Sequence, residues 1–206
     1  MNYDFITLGF NCVPALILKE LGLRKYSLPF DWNITNNMQV INCIEHDFNK
    51  FHKNLSMILD GHWMIDECGI QYPHDYPVDE NECIVDNWKD YYQDNVNKYN
   101  RRIERFKNIL QNDKPIIAVY LGKFQWATII HNYLCKKFNK RFIFIVGTYE
   151  KIKSKNSDLI VCNLTNNEES RNKDFWITSI NEAISKIQNN NKDKNYPLAK
   201  INMKYF

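Results

Sequence analysis

The chain has no long apolar run, no paired-cysteine motif, no glycine-rich fingerprint and no block of one charge, and each absence closes a class of function. No stretch approaches the roughly 20 apolar residues that a membrane helix needs, so no membrane partner is expected. The opening Met1-Asn2-Tyr3-Asp4 lacks the basic segment and apolar stretch of a secretory signal. The six cysteines, Cys12, Cys43, Cys68, Cys83, Cys135 and Cys162, stand at wide, irregular gaps, and none forms a C-x-x-C pair. With the five histidines they give no zinc-finger or ribbon spacing, so no metal is expected. Reduced thiols in a cytoplasmic protein are the expectation. Gly9 stands alone after the first apolar run. The G-x-G-x-x-G and G-K-[ST] patterns are missing, and no cofactor is expected. The 27 Lys and Arg against 24 Asp and Glu leave a formal charge of +3, read here as scattered. That gives no footing for nucleic acid.

What is there fits one domain over 1–206. Residues 3–8 predict a strand. Residues 13–21 predict a helix, with Pro14 in its first turn and Gly22 just past its end. A second helix is expected over 37–48, with Met38, Ile41, Ile44 and Phe48 on one face. Residues 52–86 mix prolines, aromatics and acids, and predict an irregular, loop-rich insertion. Residues 88–110 carry an apolar stripe of Trp88, Tyr92, Val96, Tyr99, Ile103, Phe106 and Leu110, which predicts a helix. The continuous apolar runs 116–121 and 142–146 predict strands buried on both faces, with a helix over 124–138 between them. A strand at 159–162, a closing helix at 175–188 and a flexible tail over 189–206 complete the chain. The alternation predicts an α/β fold: a central, mostly parallel sheet flanked by helices, in a single three-layer domain. Such sheets gather sites beyond the carboxyl ends of their strands, and Cys12 falls just past the first.

Cys12 is the first chemical candidate. It sits where a strand gives way to a helix, and a helix N-terminus favours thiolate over thiol. Position alone leaves open a small packed residue. A thiol nucleophile wants a base, and imidazole titrates in the useful range. His74, within Gln71-Tyr72-Pro73-His74-Asp75-Tyr76, lies in the irregular stretch and is the candidate, with a plain loop histidine as the other reading. His46, His52, His62 and His131 each read as surface or packed residues. Asp31, in Pro29-Phe30-Asp31-Trp32, either caps the following segment or orients His74. Asp75 follows His74 directly, where adjacent side chains diverge.

Together these residues carry a resemblance. Leu8-Gly9-Phe10-Asn11-Cys12-Val13-Pro14-Ala15, Leu21-Gly22-Leu23-Arg24 and Ser27-Leu28-Pro29-Phe30-Asp31-Trp32 resemble a family of unknown function catalogued as "putative papain-like cysteine peptidases". Tyr72-Pro73-His74-Asp75 and Tyr99-Asn100-Arg101-Arg102-Ile103-Glu104-Arg105-Phe106 are similar to its later blocks, in order. The resemblance implies Cys12 as nucleophile and His74 as base, with Asp31 and then Asp75 as third member. It also implies a papain-like α+β fold as the alternative to the parallel sheet. The expected activity is a cysteine-dependent hydrolase acting on a peptide or small-molecule acyl bond. Backbone N–H groups near Asn11 and the Asn11 amide would hold the oxyanion, and Arg24 and Arg102 would bind an anionic substrate group. Two rivals stand beside it: a non-peptidase enzyme or binding module for a phosphate-bearing small molecule in the same cleft, and an inert interaction protein.

Overall fold

The computed structural model describes residues 3–192, the last three by backbone alone. Strand β1 (Asp4–Thr7) leads into helix α1 (Val13–Glu20), and α2 spans Asn37–Glu45. Three short strands follow, β2 (Ser56–Ile58), β3 (Trp63–Ile65) and β4 (Gln71–Tyr72). A 3-10 turn at Trp88–Tyr91 opens helix α3 (Tyr92–Gln111). The chain then runs β5 (Ile116–Leu121), α4 (Phe124–Phe138), β6 (Phe142–Thr148), β7 (Leu159–Asn163), α5 (Asn167–Arg171) and α6 (Asp174–Lys192).

The main sheet has the order β1-β5-β6-β7, and every pairing in it is parallel. Its strands are buried on both faces, which explains their unbroken apolar runs. Side chains alternate between two cores. Ile116, Ala118 and Tyr120 of β5 join the first, with residues of α2, α3 and α4. Ile117, Val119 and Leu121 join the second, with Val13, Ile17 and Leu18 of α1 and Trp176, Ile180 and Ala183 of α6. This is the period of two that a strand imposes.

The expectation of a single three-layer parallel-sheet domain needs correction. The fold is mixed α/β. A second sheet, three-stranded and antiparallel in the order β2-β3-β4, occupies the stretch expected to be irregular. Strands β2 and β3 are joined through Leu59, Asp60 and Gly61, all at positive φ, and Asp-Gly is a hairpin signal the periodicity reading passed over. Helix α5 is a second element the sequence reading missed. Its cap is Asn166, whose side chain accepts from the Glu169 N–H, the N-x-x-E start signature. The tail expected over 189–206 lies outside the described residues from 193 onward; residues 189–192 belong to α6. Among the described residues no helix is long and apolar enough to cross a membrane.

Candidate active site

The turn from β1 to α1 is built by two residues at positive φ. Gly9 stands at φ +85° and Phe10 at 64°. A side chain at position 9 is also excluded by space, because a Cβ there would lie 1.7 Å from Thr35 Oγ1. Thr35 Oγ1 accepts a hydrogen bond from the Phe10 N–H at 3.3 Å. Backbone strain of this kind is held in place by its surroundings. The chain then presents Cys12 as the N-cap of α1, with no capping hydrogen bond from its side chain. The neighbouring Asn11 Oδ1 accepts from the Val13 N–H at 3.0 Å. Asn11 thus does the capping that Ser or Asp usually does, and the half-buried Cys12 thiol is left for other work.

Cys12 opens onto a cavity of about 620 Å³, lined also by Asn11, His74 and His62. That size suits a small ligand or one side chain of a larger one. The walls come from segments that backbone pairing draws together. Ile34 bonds Gln71 of β4 in both directions, at 3.0 and 3.1 Å, which sets Trp32, Asn33 and Ile34 beside the segment carrying His74. Ile84 N–H donates to Gly61 O at 2.8 Å, which fastens the 78–84 hairpin to the β2–β3 turn. Both sequence-named partners, Cys12 and His74, therefore line one cavity.

His74 itself is exposed, while its neighbours are pinned inward. The Tyr72 hydroxyl donates to Asp66 Oδ2 at 2.7 Å, and Tyr76 Oη lies 3.0 Å from His52 Nε2. Asp75 receives Lys98 Nζ at 2.6 Å and the Tyr99 hydroxyl at 2.5 Å, and its carbonyl receives Asn95 Nδ2 at 2.8 Å. The Asp75 carboxylate thus anchors the His74 segment to α3. Asp31 is equally committed. It is 1% exposed and accepts from the Thr7 hydroxyl, from the Leu28 N–H at 3.0 Å and from Arg24 at 3.4 Å. Burial pushes its pKa up, against the pull of Thr7, Leu28 and Arg24. Among the described residues His74 makes no hydrogen bond to either carboxylate.

Under this segment lies His52, 1% exposed and ringed by Tyr72, Tyr76, Tyr92 and Tyr99. Among the described residues its Nδ1 has no hydrogen-bond partner. Burial drives its pKa down to about 4; Asp75 pulls upward, while Lys98 and Arg102 push down. The unfolded chain therefore binds a proton that the folded chain refuses. The stabilisation is full above the ordinary histidine value of 6.5 and is lost as pH falls through about 4. Over that window the fold should lose up to about 3 kcal/mol. Urea unfolding at pH 7 and at pH 4 should show the loss in the wild type and a smaller one in His52→Asn. Equal losses in the two would remove His52 as the cause.

The two arginines expected to bind substrate lie elsewhere. Arg24 pairs with Asp31, donates to Ser27 Oγ at 3.2 Å and stacks over Trp32 at 5.0 Å. Arg102 stacks over Tyr99 at 5.0 Å. Neither lines the cavity, and among the described residues no Lys or Arg does. The sequence reading set His62 aside, yet it lines the cavity. Its Nδ1 lies 2.9 Å from Glu82 O and 4.0 Å from Cys83 Sγ. A carbonyl only accepts, so the neutral ring carries its proton on Nδ1 and its lone pair on Nε2. The Cys83 contact is weak at that distance. Charge is also less evenly spread than first read: residues 54–88 hold eight Asp and Glu and no Lys or Arg. All six cysteines are free thiols. Among the described residues no three His, Cys, Asp or Glu side chains converge as a metal site.

Comparison with known proteins matches residues 3–185 to the profile of a family described as "Putative papain-like cysteine peptidase (DUF1796)". The chain is also 29% identical over 140 residues to "Uncharacterized protein R408" of Acanthamoeba polyphaga mimivirus. That alignment covers 56% of this chain and 60% of the viral protein, so less than two thirds of the relative is spanned. No solved structure matches.

Proposed function

Since this chain belongs to the family described as "Putative papain-like cysteine peptidase (DUF1796)", we propose that it is a cysteine-dependent hydrolase with Cys12 as nucleophile and His74 as general base. One observation carries the reading: Cys12, His74 and Asn11 line the same cavity. The His74 imidazole takes the Cys12 proton, and the thiolate attacks a substrate carbonyl carbon. The negative oxygen is held by the Cys12 backbone N–H and by Asn11 Nδ2, which no described contact engages. The imidazolium then protonates the departing amine or alkoxide. Water, deprotonated by His74, hydrolyses the thioester and restores the thiol. Asp31 and Asp75 hold the walls of the cavity: one ties the 24–31 segment to β1, the other ties the His74 segment to α3.

A phosphate-binding role for the same cleft draws less support, because among the described residues the cavity has no Lys or Arg in its lining. The test is iodoacetamide labelling against pH, with site mapping by mass spectrometry. Cys12 should label well below pH 8, faster than the other five cysteines, and His74→Ala should slow it about tenfold or more. Labelling no faster than that of the buried Cys43, whose thiol is pushed up by burial, would mark Cys12 as a packed thiol and end the proposal.

A further inference from the structure

The cavity has a chemical character that the hydrolase reading does not use. Its lining holds the aromatic and apolar side chains Trp32, Trp63, Leu59 and Val78, and among the described residues its Asp or Glu is Glu82. Leu59 and Val78 are exposed, at 55% and 48%, so apolar surface continues out to the mouth. The segment that builds this wall, 54–88, holds eight carboxylates and no Lys or Arg within a chain of formal charge +3. Asp66 and Asp75 are consumed by the internal hydrogen bonds described above. Asp60, Glu80, Glu82 and Asp86 are exposed and make no ion pair among the described residues. Two of these, Asp60 and Glu82, stand on the paired turns that close the cavity.

Aromatic faces attract cations through the ring quadrupole, and this protein already uses that contact: Arg24 sits over one face of Trp32. Among the described residues no cation lies over Trp63. An acidic, low-dielectric cleft also concentrates cations and repels anions. Resting on the reading of this cavity as the hydrolytic site, we propose that it takes a substrate group bearing an ammonium or guanidinium on an apolar stem. The side chain of a lysyl or arginyl residue is of this kind. The stem packs against Trp63 and Leu59, and the cation meets Glu82. An acidic group at the same place is repelled by Glu82.

Cys12→Ala separates binding from chemistry. Acetyl-lysine amide, acetyl-norleucine amide and acetyl-glutamate amide are titrated into this variant, following the indole N–H resonances of Trp32 and Trp63. The lysine compound should bind ~tenfold or more tightly than the glutamate compound, with norleucine between them. The gap should shrink in Glu82→Gln and at high salt. Glutamate binding as tightly as lysine, a gap untouched by Glu82→Gln, or no perturbation of either indole by any compound would overturn the proposal. The hydrolase reading fails separately: wild-type Cys12 would label slowly with iodoacetamide while the preference for lysine persisted.

Discussion

Asp66→Ala should cost about 3–5 kcal/mol, the largest single loss of stability expected in this fold. The carboxylate is buried and collects four donors. Oδ1 accepts from the Cys68 and Ile70 N–H groups, both at 2.9 Å, and Oδ2 accepts from the His52 N–H at 2.8 Å and the Tyr72 hydroxyl at 2.7 Å. Burial pushes its pKa up, while those four bonds pull it back. Alanine removes the acceptor and strands all four donors in a place water does not reach. Asp66→Asn keeps Oδ1 for Cys68 and Ile70 but turns an NH2 toward His52 N and the Tyr72 hydroxyl, so it should lose roughly half as much. Urea unfolding measures both. A loss below about 1 kcal/mol for the alanine variant would mean that the donors find other partners. The defect should also reach the cavity, because Asp66 fixes β3 against β4 and seats Tyr72 two residues before His74.

Gly9→Ala should be the second largest, at about 3 kcal/mol. Two costs add: a left-handed backbone without glycine, worth about 1–2 kcal/mol, and the overlap of the new Cβ with Thr35 Oγ1, worth about 1–3 kcal/mol. A double-mutant cycle separates them. Thr35→Ala removes the Oγ1 that would lie 1.7 Å from the new Cβ and leaves the Thr35 Cβ at 3.1 Å. The pair Gly9→Ala with Thr35→Ala should therefore recover the overlap and keep the backbone cost. Full recovery would show that φ at position 9 is not the constraint. A thermal unfolding series on the four proteins settles it, and Cys12 labelling in the same series reports how far the turn has moved.

The parallel sheet was legible because burial on both faces leaves a mark in the sequence. Ile116–Leu121 and Phe142–Thr148 are apolar at nearly every position, and helix α3 shows its stripe over five turns. The antiparallel sheet was not legible from periodicity, since β4 has two residues and β2 and β3 three each. Its one local sign was Asp60-Gly61. Within the candidate site, Cys12 could be named from its place after a strand and His74 from its irregular, aromatic-rich stretch, and the resemblance then paired the two. His62 and Glu82 could not be named, because a hydrogen bond from the Ile84 N–H to Gly61 O, between turns far apart in sequence, draws their segments together. Arg24 and Arg102 fall outside the cavity lining: Arg24 turns to Ser27, Asp31 and Trp32, and Arg102 stacks on Tyr99 one turn back in α3. Gly9 needed no structure, for a lone glycine at a strand end already points to a special backbone angle or a close approach. It proved to be both.

Strand order also has a bearing on how the chain reaches this state. Strands β5, β6 and β7 are consecutive and neighbour one another in the sheet, so their association closes only short loops. Strand β1 pairs with β5 from the far end of the chain, Asp4 against Ile116, with two helices, a second sheet and α3 in between. The entropy of closing so long a loop is met only once β5 is in place to receive it. The segment that ends at Cys12 therefore joins the sheet through its most distant contact, while the walls facing the thiol, at 32–34, 59–63 and 73–82, come from the chain in between.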